Sequence, residues 1–315
     1  MPGRERIIAK PTARDLRIFQ KLHPILGYKY LPTNYLLEFT LPNATKPQRI
    51  KFSQRLGHLH ENPNCYLYRP YQQKNSPNTN YKHGVHALDR NGEKALTEHG
   101  GIHIPDHRLN SGPYPHDLLD CLIDASIEYG VARDPSLRLR TWHELASGEP
   151  FWKDKSTPAG TLRSRQPFRI RLSDGFLFPD GKPFTLENDT KFLAIPGKEV
   201  DRDSEPGRPD QYHYISIEKK LIKWREFFAR RLYQHHYGFP NAVVPFVTTN
   251  ETRMREIMAL CLEVMGGPCS YLLFKTIPDY AFEPHFPVPN GDMLTTPWLR
   301  VGYPPFSLAT LGEVA

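Results

Sequence analysis

The chain has 315 residues, 39% of them apolar, and a formal net charge of +7. This length fits roughly two domains of about 100–200 residues each, and the apolar content excludes a wholly disordered chain. No apolar run approaches the roughly 20 residues that span a bilayer, and the charged start lacks the apolar segment of a secretory signal. The four cysteines form no C-x-x-C pair, which argues against a zinc site or a disulfide framework. We therefore expect a cytoplasmic protein with no membrane contact.

The positive charge is concentrated in the first third of the chain. Residues 1–110 carry 17 Lys or Arg and 8 Asp or Glu, a net charge of +9. Residues 111–315 carry 24 and 26, a net charge of −2. A basic module joined to a near-neutral one is typical of a nucleic-acid-binding domain attached to a second domain. A soluble surface with a positive bias is the alternative.

The first hundred residues predict three helices, a two-stranded hairpin and a fourth helix. The predicted spans are 12–26, a short helix that begins at 32–33, then 45–61, 65–69, 82–88 and 90–98. Thr12 with Asp15 resembles a capping box, Thr45 is placed as the N-cap of the third helix, and Asp89 caps the fourth. This order predicts an N-terminal winged helix-turn-helix domain over residues 1–104.

The third predicted helix carries both an apolar face and a basic face. Phe52, Leu56 and Leu59 fall on one side, and we expect the opposite side to enter the major groove of DNA. Arginine suits phosphates and guanine edges, and glutamine can read bases. The candidate DNA-binding residues of this helix and the wing are Lys46, Gln48, Arg49, Lys51, Ser53, Arg55, Lys74 and Lys82. A solvated helix face, or a winged helix used only for protein contacts, is the alternative.

Residues 105–315 predict a second domain of mixed helices and strands. The predicted helices are 115–129, 213–233 and 251–265, and the predicted strands are 137–141, 168–172, 191–201, 241–248 and 270–275. Alternation of strands and helices favours an α/β unit with parallel pairing. The proline-rich tail after 278 predicts irregular structure. The fold class expected for the whole chain is therefore a two-domain α+β or α/β protein.

Three carboxylates end two strand candidates. Asp180 ends a strand candidate over 176–180, and Glu199 and Asp201 end the next. In a strand the Glu-x-Asp spacing places both side chains on one face. Such oxygen ligands suit Mg²⁺ or Mn²⁺, and a metal there can activate water for attack on a phosphodiester. A solvated acidic turn, balanced by nearby arginines, is the alternative.

These motifs resemble the PD-(D/E)XK nuclease superfamily, with Pro179-Asp180 as its first motif and Glu199-Val200-Asp201 as its second. Asp201 stands where that superfamily usually has lysine, and Lys220 of the following helix is the replacement that the helical wheel favours. The resemblance implies catalytic roles for Asp180, Glu199, Asp201 and Lys220, with Asp180, Glu199 and Asp201 as ligands of Mg²⁺ or Mn²⁺. Glu128 or Asp117 is a further metal-ligand candidate.

A broader resemblance covers most of the chain. Pro179-Asp180-Gly181, Glu199-Val200-Asp201-Arg202 and Lys220-Leu221 are similar to segments of the replication-relaxation proteins of bacterial plasmids and other mobile elements. That resemblance implies an N-terminal winged helix that binds double-stranded DNA, followed by a PD-(D/E)XK-like α/β domain. Three interpretations stay open. The second domain is a metal-dependent endodeoxyribonuclease, or a degenerate nuclease that mediates dimerisation or docks a partner from the same element, or part of a transcriptional repressor.

Overall fold

The computed structural model describes most of the chain as two compact units. The described residues are 10–70, 84–101, 114–148, 150–151, 160–166, 168–172, 175–177, 182–202, 216–278 and 288–311. The first unit comprises Met1–Tyr129 with Tyr280–Asn290, and the second comprises Gly130–Asp279 with Gly291–Ala315. The architecture is mixed α+β. Within the described residues, no helix combines the length and apolarity that a bilayer crossing requires.

The first unit follows the predicted order of helices and hairpin strands. Its elements are α1 (Ala13–Lys21), β1 (Leu31–Pro32), α2 (Thr33–Thr40), α3 (Lys46–His60), β2 (Leu67–Tyr68), β3 (Val85–Leu88), α4 (Arg90–Gly100) and most of α5 (Tyr114–Val131). The strands form one antiparallel sheet in the order β1-β3-β2. The short strand β1, which precedes α2, is the one element here that the periodicity does not predict.

Local capping explains where these helices begin. Thr12 and Asp15 form the predicted capping box at α1, and Gln48 accepts a hydrogen bond from the backbone N–H of Thr45 at 2.7 Å in a second capping box at α3. Asp89 accepts from the N–H of Arg90 at the start of α4. Such caps satisfy N–H groups that have no partner inside the helix. Helix α1 ends at Lys21, short of its predicted end at 26, because Pro24 has no N–H to continue the helix. The N–H groups of residues 25 and 26 bond to the ring of His23.

Helix α5 belongs to the core of the first unit. Tyr114, Leu118 and Leu122 pack into the same apolar cluster as the predicted α3 residues Phe52, Leu56 and Leu59. The compact unit therefore extends to residue 129, beyond the predicted boundary at 104/105, because the apolar face of α5 is buried against the N-terminal helices.

Two carboxylates of α5 have partners from the N-terminal helix region. Glu128 pairs with Lys21 and accepts a hydrogen bond from the hydroxyl of Tyr28. Asp117 pairs with Lys29 at 2.5 Å. These contacts fasten α5 to the first unit. The sequence suggested Glu128 or Asp117 as a further metal ligand, and the structure commits both to ion pairs instead.

The second unit contains a mixed sheet with helices between its parallel strands. Its elements are β4 (Arg138–Arg140), α6 (Trp142–Ser147), β5 (Ile170–Leu172), β6 (Gly175–Leu177), β7 (Phe184–Glu187), β8 (Phe192–Ile195), β9 (Glu199–Asp201), α7 (Ile217–Ala229), a π-helical turn (Tyr233–Tyr237), β10 (Val244–Thr248), α8 (Glu251–Met265), β11 (Cys269–Thr276), α9 (Asp292–Thr295), β12 (Trp298–Val301), β13 (Tyr303–Phe306) and a 3-10 turn (Leu308–Thr310). The sheets have the strand orders β13-β12-β11-β10-β9, β4-β7-β8 and β5-β6.

The predicted parallel pairing is present in the larger sheet. Strands β9, β10 and β11 are parallel neighbours, and α7 and α8 connect them in sequence. Strand β8 also runs beside this sheet, since the N–H of Ala194 donates to the carbonyl of Asn241 at 3.0 Å and the N–H of Val243 donates to the carbonyl of Ala194 at 2.9 Å. Pro196 and Gly197 therefore separate β8 from β9 without diverting the chain from this sheet.

The proline-rich tail is more ordered than its composition predicts. Strands β12 and β13 add an antiparallel hairpin to the edge of the sheet, so the prediction of an irregular tail is wrong there. Pro304 and Pro305 lie in β13, the outermost strand. An edge strand tolerates proline because its outer N–H groups have no neighbouring strand to bond.

Candidate functional site

The outer face of α3 carries exposed basic and polar side chains. Lys46, Gln48, Lys51 and Ser53 are all exposed, and Ile50, predicted to lie opposite the apolar stripe, is 52% exposed. Within the described residues, neither Lys46 nor Lys51 forms an ion pair with a carboxylate. The sequence therefore identified the exposed face of this helix correctly, because a helix with one apolar stripe buries that stripe.

The two arginines predicted to contact DNA differ in how firmly the protein holds them. Arg49 donates through Nε to the carbonyl of Ala44 at 3.0 Å and lies 3.4 Å from a carboxylate oxygen of Glu38. Half of its side chain stays exposed, so it keeps access to solvent at the start of α3. Its guanidinium also helps to fasten the turn between α2 and α3.

Arg55 serves the interior of the first unit. Its Nη2 donates to Oδ2 of Asp15 at 2.6 Å and its Nε donates to Oδ1 at 3.1 Å. Burial raises the pKa of Asp15, but the hydrogen bonds from Arg55 and Thr12 outweigh it and hold that pKa below its ordinary value. Asp15 is 1% exposed, so Arg55 commits its Nε and Nη2 to a largely buried ion pair, although its side chain is 28% exposed. Arg55 therefore has a role in folding, and its DNA contact stays a prediction.

Three predicted site residues lie outside the described residues. Lys74 and Lys82 belong to the predicted wing, and Asp180 is the predicted first metal ligand. The structure therefore brings together only Glu199, Asp201 and Lys220 from the predicted catalytic set.

Glu199 is fully buried beneath α7. It is the register partner of Phe246 in the parallel pair β9–β10, which places both side chains on the face that α7 and α8 cover. Its Oε1 accepts hydrogen bonds from Lys223 and, at 2.7 Å, from the indole N–H of Trp224. Its Oε2 lies 3.2 Å from Nζ of Lys220. The charge of Glu199 is thus balanced inside the core by two lysines.

Asp201 ends β9 on the same face of the strand as Glu199, and it forms an ion pair with helix α8. Its Oδ2 accepts from Nε of Arg253 in α8 at 2.8 Å. Its Oδ1 and the hydroxyl of its register partner Thr248 are buried without a hydrogen-bond partner in the described part of the chain. The predicted common face for Glu199 and Asp201 is therefore observed, although different helices engage the two carboxylates.

This cluster does not fit a divalent cation at Glu199. The two described carboxylates face three cations, Lys220, Lys223 and Arg253, and a metal ion on Glu199 would sit against two buried ammonium groups that repel it. Among the described residues, no group of three or more metal-ligating side chains is found. One free oxygen of Asp201 is a single ligand, whereas Mg²⁺ needs near-octahedral coordination.

The helical wheel favours Lys220 alone as the catalytic lysine, but Lys223 contacts Glu199 as well. Both lysines are almost completely buried, with side-chain exposures of 7% and 2%. Positions i and i+3 lie on the same helix face. The three-residue spacing of Lys220 and Lys223 therefore indicates that both lysines face the same side of α7. Arg253 comes five residues after the end of β10, and only the structure shows that it pairs with Asp201.

A histidine pair, in which His86 is buried and His60 half-buried, joins α3 to the sheet of the first unit. Nε2 of His60 lies 2.8 Å from Nδ1 of His86, whose Nε2 lies 2.7 Å from the hydroxyl of Thr33. Burial, aided by the positive charge of Arg69, lowers the pKa of His60 to about 4. Burial and the neighbouring His60 lower the pKa of His86 as well. Both rings are therefore neutral at pH 7, and their contact packs α3 against the sheet.

No protein-family model matches the chain, and neither a curated protein nor a solved structure matches it.

Proposed function

We propose that this protein binds double-stranded DNA through the exposed face of α3. The observation that carries the proposal is the pair of exposed lysines, Lys46 and Lys51, which have no carboxylate partner in the described part of the first unit. Lysines in such positions bind phosphates and release counterions from DNA.

The arrangement around α3 supports the same function. Three helices, with strand β1 before the second of them, are followed by strands β2 and β3, and the three strands form a small antiparallel sheet in the order β1-β3-β2. This order is typical of a winged helix, in which the third helix enters the major groove. Ile50 lies on this outer face, 52% exposed, where it can meet a thymine methyl group. Together with the motifs described above, this favours a cytoplasmic accessory protein of plasmid or mobile-element replication or mobilisation.

For the second unit we propose a non-catalytic role in dimerisation or in docking a partner protein. The charge balance at Glu199 supports this choice, because its two buried lysines occupy the carboxylate that a nuclease metal would need. In this proposal the Glu199 cluster holds α7 against the sheet.

Binding by α3 can be tested by measuring DNA affinity against salt concentration. A Lys46→Gln, Lys51→Gln double variant should lower the salt slope by up to about 0.9 for each lost phosphate contact. Lys94→Gln is the matched control, since Lys94 is also exposed but lies on α4. A double variant that binds duplex DNA with the wild-type slope would refute the role of α3.

The non-catalytic role is tested by incubating the protein with supercoiled plasmid and Mg²⁺ or Mn²⁺. We expect no nicking. Nicking that disappears in both Asp180→Ala and Asp201→Asn would instead establish a metal-dependent nuclease. Asp201→Asn is preferred to a change at Glu199, because Glu199 is needed to balance buried charge.

A further inference from the structure

A short segment of the second unit is rich in arginine although that part of the chain has a negative net charge. Residues 160–171 contain four arginines and no Asp or Glu. All four are exposed: Arg163, Arg165, Arg169 and Arg171. The near-neutral total for residues 111–315 therefore conceals a concentrated patch of positive charge.

The β-alternation in this segment turns two of the arginines outward. Phe168 and Ile170 are 1% and 0% exposed and pack in the core of the second unit. Arg169 and Arg171, the residues that alternate with them, are exposed. Since successive side chains of a strand point to opposite faces, Arg171 lies on the solvent face of β5, and Arg169, which immediately precedes β5, is exposed as well.

A second basic segment lies directly beside the first. The N–H of Arg163 donates to the carbonyl of Tyr237 at 3.0 Å, and its Nη1 donates to the carbonyl of Gln234 at 3.1 Å. Nε2 of His236 lies 2.7 Å from the carbonyl of Gln166. These bonds place the π-helical turn beside the arginine-rich segment, and the exposed residues Arg230 and Arg231 come just before that turn in the chain.

Arg230 has a carboxylate partner, whereas three of the other arginines have none among the described residues. Arg230 pairs with Glu226 at 3.3 Å. In the described part of the chain, no carboxylate pairs with Arg165, Arg171 or Arg231. We call the set the arginine surface; its members are Arg163, Arg165, Arg169, Arg171, Arg230 and Arg231.

We propose that the arginine surface is a second contact site for the phosphate backbone of duplex DNA. The inference rests on the proposed binding of DNA by the first unit and names a second place where the same partner is held. The guanidinium fork matches phosphate oxygens. Arginines spaced along a strand and an adjoining turn meet successive phosphates without reading bases. This surface adds affinity without adding sequence preference.

The test uses the full chain and a linear duplex DNA of mixed sequence. The triple variant Arg165→Gln, Arg171→Gln, Arg231→Gln removes the three arginines that lack a described carboxylate partner. We expect a salt slope lower by about 0.9 for each lost phosphate contact, or up to about 2.7 for three. Circular dichroism and the unfolding temperature of the variant should match the wild type.

The control variant carries the same charge change elsewhere on the second unit. Arg133→Gln, Arg138→Gln, Arg255→Gln alters three exposed arginines outside the arginine surface, and it should keep the wild-type slope. Equal slopes for the two triple variants would overturn the proposal, because net charge alone would then explain the effect. A triple variant that binds DNA normally but loses binding to polyglutamate would also overturn it, in favour of an acidic protein partner.

The α3 variant separates this inference from the proposed function. If Lys46→Gln with Lys51→Gln lowers the slope and the arginine-surface variant does not, α3 binds DNA and the second site is refuted. If only the arginine-surface variant lowers it, the second site stands and the role of α3 fails.

Discussion

Arg55 of α3 donates hydrogen bonds to both carboxylate oxygens of Asp15 of α1, at 2.6 Å and 3.1 Å. Asp15 also belongs to the capping box that begins α1. One carboxylate therefore organises the first turn of α1 and holds α3 in place. An arginine that belongs by sequence to the DNA-facing set thus orients the helix that carries the set.

Arg55→Gln should lower the free energy of unfolding by about 1–3 kcal/mol, because it leaves a buried carboxylate with unsatisfied bonds. Lys51→Gln, on the same helix but exposed, should change it by less than about 0.5 kcal/mol. Chemical denaturation of the two variants measures both values. Equal stability of the two variants would return Arg55 to the surface set.

The contact between His60 and His86 should make the first unit sensitive to acid. Between its ordinary pKa of 6.5 and its folded value of about 4, His60 is protonated in the unfolded chain but neutral in the folded one. The unfolded state then binds more protons, so stability falls as the pH falls through that window, by at most about 1.4 kcal/mol per pH unit for each histidine.

The measurement is the free energy of unfolding from pH 7.5 to pH 4.5 for the wild type, His60→Gln and His58→Gln. His60→Gln should flatten the curve, whereas His58→Gln, at an exposed position of the same helix, should leave its slope unchanged. Parallel curves for all three proteins would show that His60 does not titrate in this window.

Glu199→Gln should destabilise the second unit by about 3–5 kcal/mol, because two lysines in the core lose their counter-charge. The double variant Glu199→Gln, Lys223→Met should recover part of the lost stability, since it removes one of the two buried lysine charges that have no counter-charge. Thermal unfolding of both proteins tests this. A double variant less stable than the single one would show that Lys223 contributes mainly through other contacts.

Two glycines on neighbouring helices should respond oppositely to alanine. A Cβ at Gly92 of α4 would lie 2.5 Å from the carbonyl oxygen of Tyr66, whereas one at Gly57 of α3 would meet no atom within 4 Å. Gly92→Ala should therefore cost about 1–3 kcal/mol through overpacking. Gly57→Ala should add up to about 1 kcal/mol through helix propensity. Denaturation midpoints with unchanged m-values would measure both.

Features that depend on residues close together in the chain could be predicted from the sequence. The start of α3 at Thr45, the burial of Phe52 and Leu56, and the start of α4 at Asp89 agree with the structure. Capping and helix periodicity act over three or four residues, so their signals can be read directly from the chain. The shared face of Glu199 and Asp201 follows from strand alternation in the same way.

Which charged side chains stay exposed and which form buried ion pairs depends on the tertiary fold. Arg55 and Asp15 are 40 residues apart in the chain, and Lys223 meets Glu199 across 24. No local pattern encodes such pairings, because they depend on how helices pack on one another and on sheets. In the folded protein, Arg55 and Glu199 form ion pairs that hold helices in place. Lys46 and Lys51 remain exposed to solvent.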